Sequence, residues 1–580
     1  MQIFMAKLRH CFSAWLVICL LLGLLHGHGI LQAQASHPTH RQLQSLQSSP
    51  SDQPYRTSYH FQPPKNWMNG PMIYKGIYHL FYQYNPYGAV WGHIVWAHST
   101  STDLINWTNH SHAIYPSQPS DVNGCWSGSA TMLPGGKPVI LYTGINQNNQ
   151  QVQNLAMPKN LSDPYLIEWV KSPMNPLMAP DDMNKIEADS FRDPTTAWLG
   201  PDRRWRVIIG SKRRNRGMAI LYRSKDFVRW TEAKHPLHST EGTGMWECPD
   251  FYPVLANGAE GADTSAIGHG VKHVLKVSFH GEDHYTVGTY DLVKDIFIPD
   301  VGSEENDSGL KYDYGKYYAS KTFFDSAKKR RVLWGWINEV TQEAINVEKG
   351  WSGIQGIPRR IWLDRSGKQL LQWPVEEIEK QRMNQVDLPA RLLEGGSVVE
   401  VSGVTATQAD VEIEFEIPKL EKAELLDPNW SDHPQALCSQ QGAPARGGLG
   451  PFGLLILASK DLQEHTSVFF RVFQHQEKNK FIVLMCSDQN RSSLHLDYDK
   501  TTFGAFVDID PTREKLQLRS LIDRSIVESF GGGGKACISA RVYPSLAIDG
   551  GAHLYAFNNG TQSVTVSRLT AWSMKKAQIN

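Results

Sequence analysis

The chain has 580 residues, and its 58 Lys+Arg balance 58 Asp+Glu. That length exceeds one small domain, and 41% hydrophobic against 20% charged residues excludes a disordered chain. Zero formal charge argues against a nucleic-acid partner, which needs a basic face.

The first residues read as a removable leader. Lys7 and Arg9 precede an apolar run from Cys11 to Leu25, too short for a comfortable membrane span. Ala33-Gln34-Ala35 is a small-residue cleavage signal, so 1–35 is expected to be a secretory signal peptide. Its removal takes two bases and no acid, leaving a near-neutral mature chain with no membrane association. Residues 36–54 are polar and Gln/Ser-rich, and are expected to be flexible. Secretion also suits N-x-S/T sequons at Asn106, Asn109, Asn160, Asn306, Asn429, Asn490 and Asn559. Five cysteines remain after cleavage: Cys125, Cys248, Cys438, Cys486 and Cys537. They show no zinc spacing.

Five strand-like stretches then recur: Tyr78–Tyr82, Val139–Tyr142, Arg206–Ile209, His273–Val277 and Arg331–Trp334. Their centres stand roughly 57 to 68 residues apart, the length of one four-stranded propeller blade with long loops. Five repeats predict a five-bladed β-propeller over 55–375. Leu370 to Glu379 reads as a linker packing on it, and the boundary is set as a linker over 376–390. From 391 to 580 the texture is that of an antiparallel β-sandwich, making the fold all-β. Val411, Ile413, Phe415 and Ile417 alternate with Glu412, Glu414 and Glu416, a half-buried strand. Ser467–Phe473, Lys480–Met485 and His553–Phe557 read as further strands, and Gly531–Gly534 as a turn.

Two acidic motifs carry candidate chemistry. In Phe191-Arg192-Asp193-Pro194 the guanidinium is expected to hold Asp193 ionised. In Trp246-Glu247-Cys248-Pro249-Asp250 an apolar surround is expected to raise the pKa of Glu247, which suits a general acid. Asp193 and Glu247 are 54 residues apart, close to one blade, so they are expected to face one axial pocket from neighbouring blades. Cys248 lacks a partner His and reads as packing rather than as a nucleophile. Lys328-Lys329-Arg330-Arg331 reads as a solvated turn.

A resemblance joins these motifs. Phe61-Gln62-Pro63-Pro64-Lys65-Asn66-Trp67-Met68-Asn69, Tyr78 to Pro86, Trp126-Ser127-Gly128-Ser129, Arg192-Asp193-Pro194 and Trp246 to Asp250 resemble plant glycoside hydrolase family 32. So do Phe470-Arg471-Val472-Phe473 and Asp523 to Phe530. That family includes cell-wall invertases and fructan exohydrolases. The resemblance implies retaining hydrolysis of β-fructosidic bonds in sucrose or fructans, without metal or organic cofactor. It implies Glu247 as acid/base and Asp193 as the stabiliser of the fructosyl ring. It implies a pocket lined by Trp67, Asn69, Gln83, Trp91, Trp126, Ser127 and Arg192. It also implies a Cys438–Cys486 disulfide, secretion to the wall or the vacuole, and no particular oligomeric state.

The chain departs from the family at one point. The family motif is W-M-N-D-P-N-G-P-M, and its Asp is the nucleophile. Here Trp67-Met68-Asn69 runs directly into Gly70-Pro71-Met72, so D-P-N is cleanly excised. Plant genes of the family encode that tripeptide on a tiny exon, and skipping it, in the transcript or in the gene prediction, accounts for the gap. The excision is expected to shorten the first innermost strand, displace Asn69 and impair catalysis. Asp52 and Asp103, the nearest acids, have no motif to replace the nucleophile. The alternative is a non-catalytic sucrose- or fructan-binding or regulatory protein. Pro249 sides with the cell-wall and exohydrolase branch. In that branch true invertases carry an Asp after a K-V-S strand; here Lys276-Val277-Ser278 leads to Phe279-His280-Gly281-Glu282-Asp283. His280 stands at the Asp position and Asp283 is the available substitute, which leans toward an exohydrolase.

Overall fold

Each of the five apolar runs becomes the second strand of a largely antiparallel sheet with four strand positions, some of them broken into two segments. In blade 3, Val207, Ile208 and Ile209 are wholly buried. Blades stack face to face, so both faces of a second strand are covered and the run reads as continuously apolar. The blades run in chain order, with second strands Ile77–Tyr84, Lys137–Ile145, Trp205–Arg213, Val271–Phe279 and Arg330–Ile337. The innermost strands are Asn66–Asn69, Cys125–Leu133, Phe191–Arg192, Glu247–Leu255 and Tyr317–Asp325. The ring closes where Asn66 and Trp67 pair in parallel with Trp351 and Ser352 of blade 5.

The computed structural model describes residues 53–69, 72–181, 183–477 and 480–580. The leader at 1–35, residues 36–52, Asp52 and the excision point at Gly70-Pro71 lie outside the described residues. Among the described residues no helix is long and apolar enough to cross a membrane.

Two corrections concern the domain junction. Leu370–Pro374 is the outermost strand of blade 5, pairing with Arg359–Leu363, rather than a linker. The segment 376–390 holds a short 3-10 turn, Glu376–Gln381, and then a strand, Arg382–Leu388, that pairs with Val564–Met574 of the sandwich. Arg382–Leu388 lies at the edge of its sheet with mostly exposed side chains and so carries a weak apolar pattern.

The sandwich has two principal sheets. Val411, Ile413 and Phe415 point into its core, while Glu412, Glu414 and Glu416 point outward. Phe415 meets Phe452 of the opposite sheet at a 5.0 Å centroid separation. Cys438 and Cys486 form a disulfide.

Propeller and sandwich belong to one compact unit and share a buried ionic joint. His60 Nδ1 lies 2.9 Å from Asp523 Oδ2, and its Nε2 lies 3.4 Å from Glu528 Oε2. Arg359 Nη2 meets Asp313 Oδ2 at 2.8 Å and Glu528 Oε1 at 3.1 Å. All five side chains are essentially without solvent contact. Burial opposes the charge on His60, but hydrogen bonds and attraction from Asp523 and Glu528 raise its pKa above the ordinary 6.5. Burial likewise opposes the charge on Glu528, yet Arg359 and His60 lower its pKa below 4.5.

The signs give a pH window. A raised His contributes stability that is complete below 6.5 and is lost as pH rises through the folded-state value. A depressed Glu contributes stability that is complete above 4.5 and is lost as pH falls through its folded-state value. The joint is therefore expected to be at full strength between about pH 4.5 and 6.5. Denaturant unfolding at pH 5.5 and pH 8 tests this. Wild type loses stability between the two, and His60→Gln loses less. An equal loss in both proteins contradicts the assignment to His60.

Candidate active site

The pocket is built by irregularities repeated at one level of the ring. In blade 4, Cys248 and Pro249 stand opposite the single residue Val277. In blade 2, Trp126 and Ser127 stand opposite Thr143, and in blade 5, Ala319 and Ser320 stand opposite Gly335. In blade 3 the surplus is larger: residues 193–197 stand opposite 207–209. Bulges of this kind re-aim side chains, here toward the axis. Three begin with a left-handed residue: Asp193 at φ 67°, Cys248 at φ 44° and Ala319 at φ 54°.

Blade 1 is the exception. Asn69 pairs with Gln83, and the pairing resumes at Met72 with His79. Between these two pairs the chain counts two positions where the neighbouring strand counts three, Leu80, Phe81 and Tyr82. The first innermost strand is four residues long, whereas those of blades 2, 4 and 5 are nine each.

In three blades the last paired residues before the surplus come together. Arg192, Glu247 and Tyr318 hold that position in blades 3, 4 and 5. Arg192 Nη2 donates to Glu247 Oε1 at 2.5 Å, and Tyr318 Oη donates to Glu247 Oε2 at 2.6 Å. The carboxyl group is thereby fixed through both oxygens. Its surround is polar, correcting the expected apolar one. Arg192 Nε also lies 3.9 Å from Asp193 Oδ2. Burial opposes the guanidinium charge, but Asp193 and Glu247 raise the Arg192 pKa. Burial and the neighbouring Glu247 push Tyr318 well above the ordinary phenol value, so it remains an O–H donor.

Asp193 is buried, and its Oδ2 accepts the Cys248 N–H at 2.8 Å. The Asp193 N–H donates to Thr143 Oγ1, so blades 2, 3 and 4 meet at this residue. Lys321 Nζ donates to the Pro249 carbonyl at 2.7 Å, and Lys276 Nζ to those of Cys248 and Ser320 at 3.1 and 2.7 Å. These two ammonium groups tie the bulges of blades 4 and 5 together. Burial and Asp193 push the Cys248 thiol far up, as a packing residue requires.

Of the other expected pocket residues, Trp91 is exposed and meets half-buried Trp126 edge-on at 5.3 Å. Trp67 is buried against Trp336 at 5.4 Å. Gln83 and Ser127 line a narrow cavity of about 60 Å³ with Thr196, Cys248 and Lys321, one residue from each blade. That space suits a few waters. Asn69 occupies the ring position of blade 1 by register.

Asp103 is spent on a turn, accepting the Ile105 and Asn106 N–H groups. Asp283 is fully buried and accepts from Ser278 Oγ at 2.5 Å and from the Ala319 and Ser320 N–H groups. It cannot also hold a sugar. His280 lies in the exposed turn beyond, paired with Asp307 at 2.8 Å. Tyr318 and Lys321 carry no sequence motif, and Lys276 is legible only as part of the strand Lys276-Val277-Ser278. Aligning the blades by their second strands places Tyr318 beside Glu247.

The sequons divide by environment. Asn160, Asn306, Asn429 and Asn490 are exposed. Asn106, Asn109 and Asn559 are half-buried with engaged carboxamides; Asn559 donates to the Ala443 and Pro444 carbonyls at 3.0 and 3.2 Å.

Residues 60–374 match the Glycosyl hydrolases family 32 N-terminal domain, and residues 375–573 match the Glycosyl hydrolases family 32 C terminal. The chain belongs to glycosyl hydrolase family 32. It is 63% identical over 574 residues to an insoluble beta-fructofuranosidase isoenzyme of Arabidopsis thaliana, covering 97% of this chain and 98% of the relative. It is 58% identical to a fructan 6-exohydrolase of Beta vulgaris, covering 98% and 96%. Among solved structures it is similar to fructan 1-exohydrolase IIa of Cichorium intybus, with TM-score 0.89 and 56% identity, covering 91% of this chain and 98% of that one. A variant of that enzyme has been solved with 1-kestose.

Proposed function

We propose that this family 32 member is a secreted hydrolase of the plant cell wall that releases terminal β-D-fructose from sucrose or fructans. The relatives named as insoluble or cell-wall beta-fructofuranosidases and as fructan exohydrolases support the activity and the location. The observation that carries the chemistry is the grip of Arg192 and Tyr318 on Glu247 beside Asp193. In the retaining scheme Glu247 first protonates the leaving oxygen and then takes a proton from water. Arg192 and Tyr318 keep its carboxyl aimed through both steps, and Asp193 binds fructosyl hydroxyls as charge develops on the ring. The remaining part, a nucleophilic carboxylate, belongs to the tripeptide missing after Asn69. The chain as written is therefore strongly impaired. Exposed Asn160, Asn306, Asn429 and Asn490 are the proposed glycan acceptors.

Fructan is the proposed better substrate, because Asp283 is sealed beneath Ala319 and Ser320 and His280 is paired with Asp307. The test is fructose release from sucrose and from a small fructan by the chain carrying Asp-Pro-Asn after Asn69. A higher kcat/KM on the fructan is expected. A clear preference for sucrose would show that another group holds its glucose.

The register deficit in blade 1 favours one second reading: a protein that holds sucrose or fructan without turnover. In that case sugar binding persists in the chain as written, and restoring the tripeptide adds no fructose release.

A further inference from the structure

We propose that Glu282, His284 and Asp307 bind one divalent cation of the zinc class at the hairpin end of the third strand of blade 4. The hairpin after Val271–Phe279 turns at His280 and Gly281, both left-handed. Glu282 and His284 then lie two residues apart on the next strand and share a face. The loop toward blade 5 returns onto that strand through a bridge between His284 and Lys311, and it brings Asp307 alongside. One ligand atom from each of the three residues lies within 4.8 Å of the others.

The second observation is His284 itself. It is only 5% exposed, stacked on Phe279 at 4.0 Å, and neither ring nitrogen has a hydrogen-bond partner. Its Nε2 approaches Glu282 Oε2 to 3.5 Å without making a hydrogen bond. A buried imidazole with both nitrogens idle is costly. A cation between that imidazole and the two carboxylates would satisfy it.

The donor set fixes the class. Calcium and magnesium take oxygen ligands alone, whereas imidazole with carboxylate suits zinc and its neighbours. His280, paired with Asp307, offers a fourth donor. Lys311 Nζ meets Glu282 Oε2 at 2.6 Å and must swing away when the cation enters.

Calorimetric titration of the chelator-treated full chain with zinc chloride tests the site, with elemental analysis for stoichiometry and magnesium and calcium as comparison arms. One equivalent of zinc is expected. His284→Gln and Asp307→Asn should each weaken it by roughly tenfold or more. Asp307 is exposed, so Asp307→Asn keeps the fold and decides the matter if His284→Gln does not fold. Unchanged zinc affinity in Asp307→Asn, no zinc binding in wild type, or equal binding of magnesium or calcium overturns the proposal.

Discussion

Inserting Asp-Pro-Asn after Asn69 is expected to raise fructose release by roughly 10⁴-fold or more, about 5 kcal/mol of transition-state stabilisation. The register supplies the reason. Between Asn69 and Met72 the chain counts two positions against three in the neighbouring strand. Three more residues make five opposite three, the count found in blade 3 between Arg192 and Trp198. There Asp193 follows the last paired residue, takes a left-handed φ and precedes Pro194. The inserted Asp would follow Asn69 and precede a Pro in the same way. Blade 1 would then present a carboxylate to the axis from the same bulge position as Asp193. A parallel insertion of Asn-Pro-Asn separates geometry from chemistry: it restores the count without the carboxylate and should leave turnover near the level of the chain as written. Equal activity from the two insertions rules out the nucleophile assignment.

Replacing Arg359 with Met is expected to cost about 3–5 kcal/mol of stability. Arg359 is fully buried and lies between Asp313 and Glu528. It also donates to Gln372 and Ser539. Without it two buried carboxylates face each other with only His60 nearby for Glu528. The pair, once built, gains little over an apolar isostere; it is breaking it one-sidedly that costs. A second version, Arg359→Met with Asp313→Asn and Glu528→Gln, removes the stranded charges and should recover part of the loss. Thermal and denaturant unfolding of the three proteins measures it. A change below about 0.5 kcal/mol in Arg359→Met alone places the joint's strength elsewhere.

The second strands were readable because both of their faces are buried, which leaves continuous apolar runs such as Val207-Ile208-Ile209. The innermost strand of blade 3, Phe191–Arg192, was not, because two residues carry no period. Leu370–Pro374 reads as a linker because it is short and lies two strands beyond the apolar second strand of its blade. At the site, Asp193 and Glu247 were visible as charged residues in aromatic, Pro-rich motifs. Tyr318 carries no motif and becomes visible only when its position ahead of a bulge is matched to that of Glu247. The joint was out of reach, since His60, Asp313, Arg359, Asp523 and Glu528 are brought together by tertiary packing alone.

The seam that closes the ring bears on the order of assembly. Asn66 and Trp67 find their partners about 285 residues later in the chain, at Trp351 and Ser352. Pairings so distant in sequence form late and slowly, because a very long loop must close before they reward it. The strand that seals the propeller is also the one that ends at Asn69. The catalytic ring therefore cannot exist as a half-made object: until blade 5 has been synthesised and folded, blades 2 to 4 hold Arg192 and Glu247 with no opposite wall. A folding chain is therefore expected to remain an open arc, inert toward sugar, and to gain its pocket in the same event that seals its circumference.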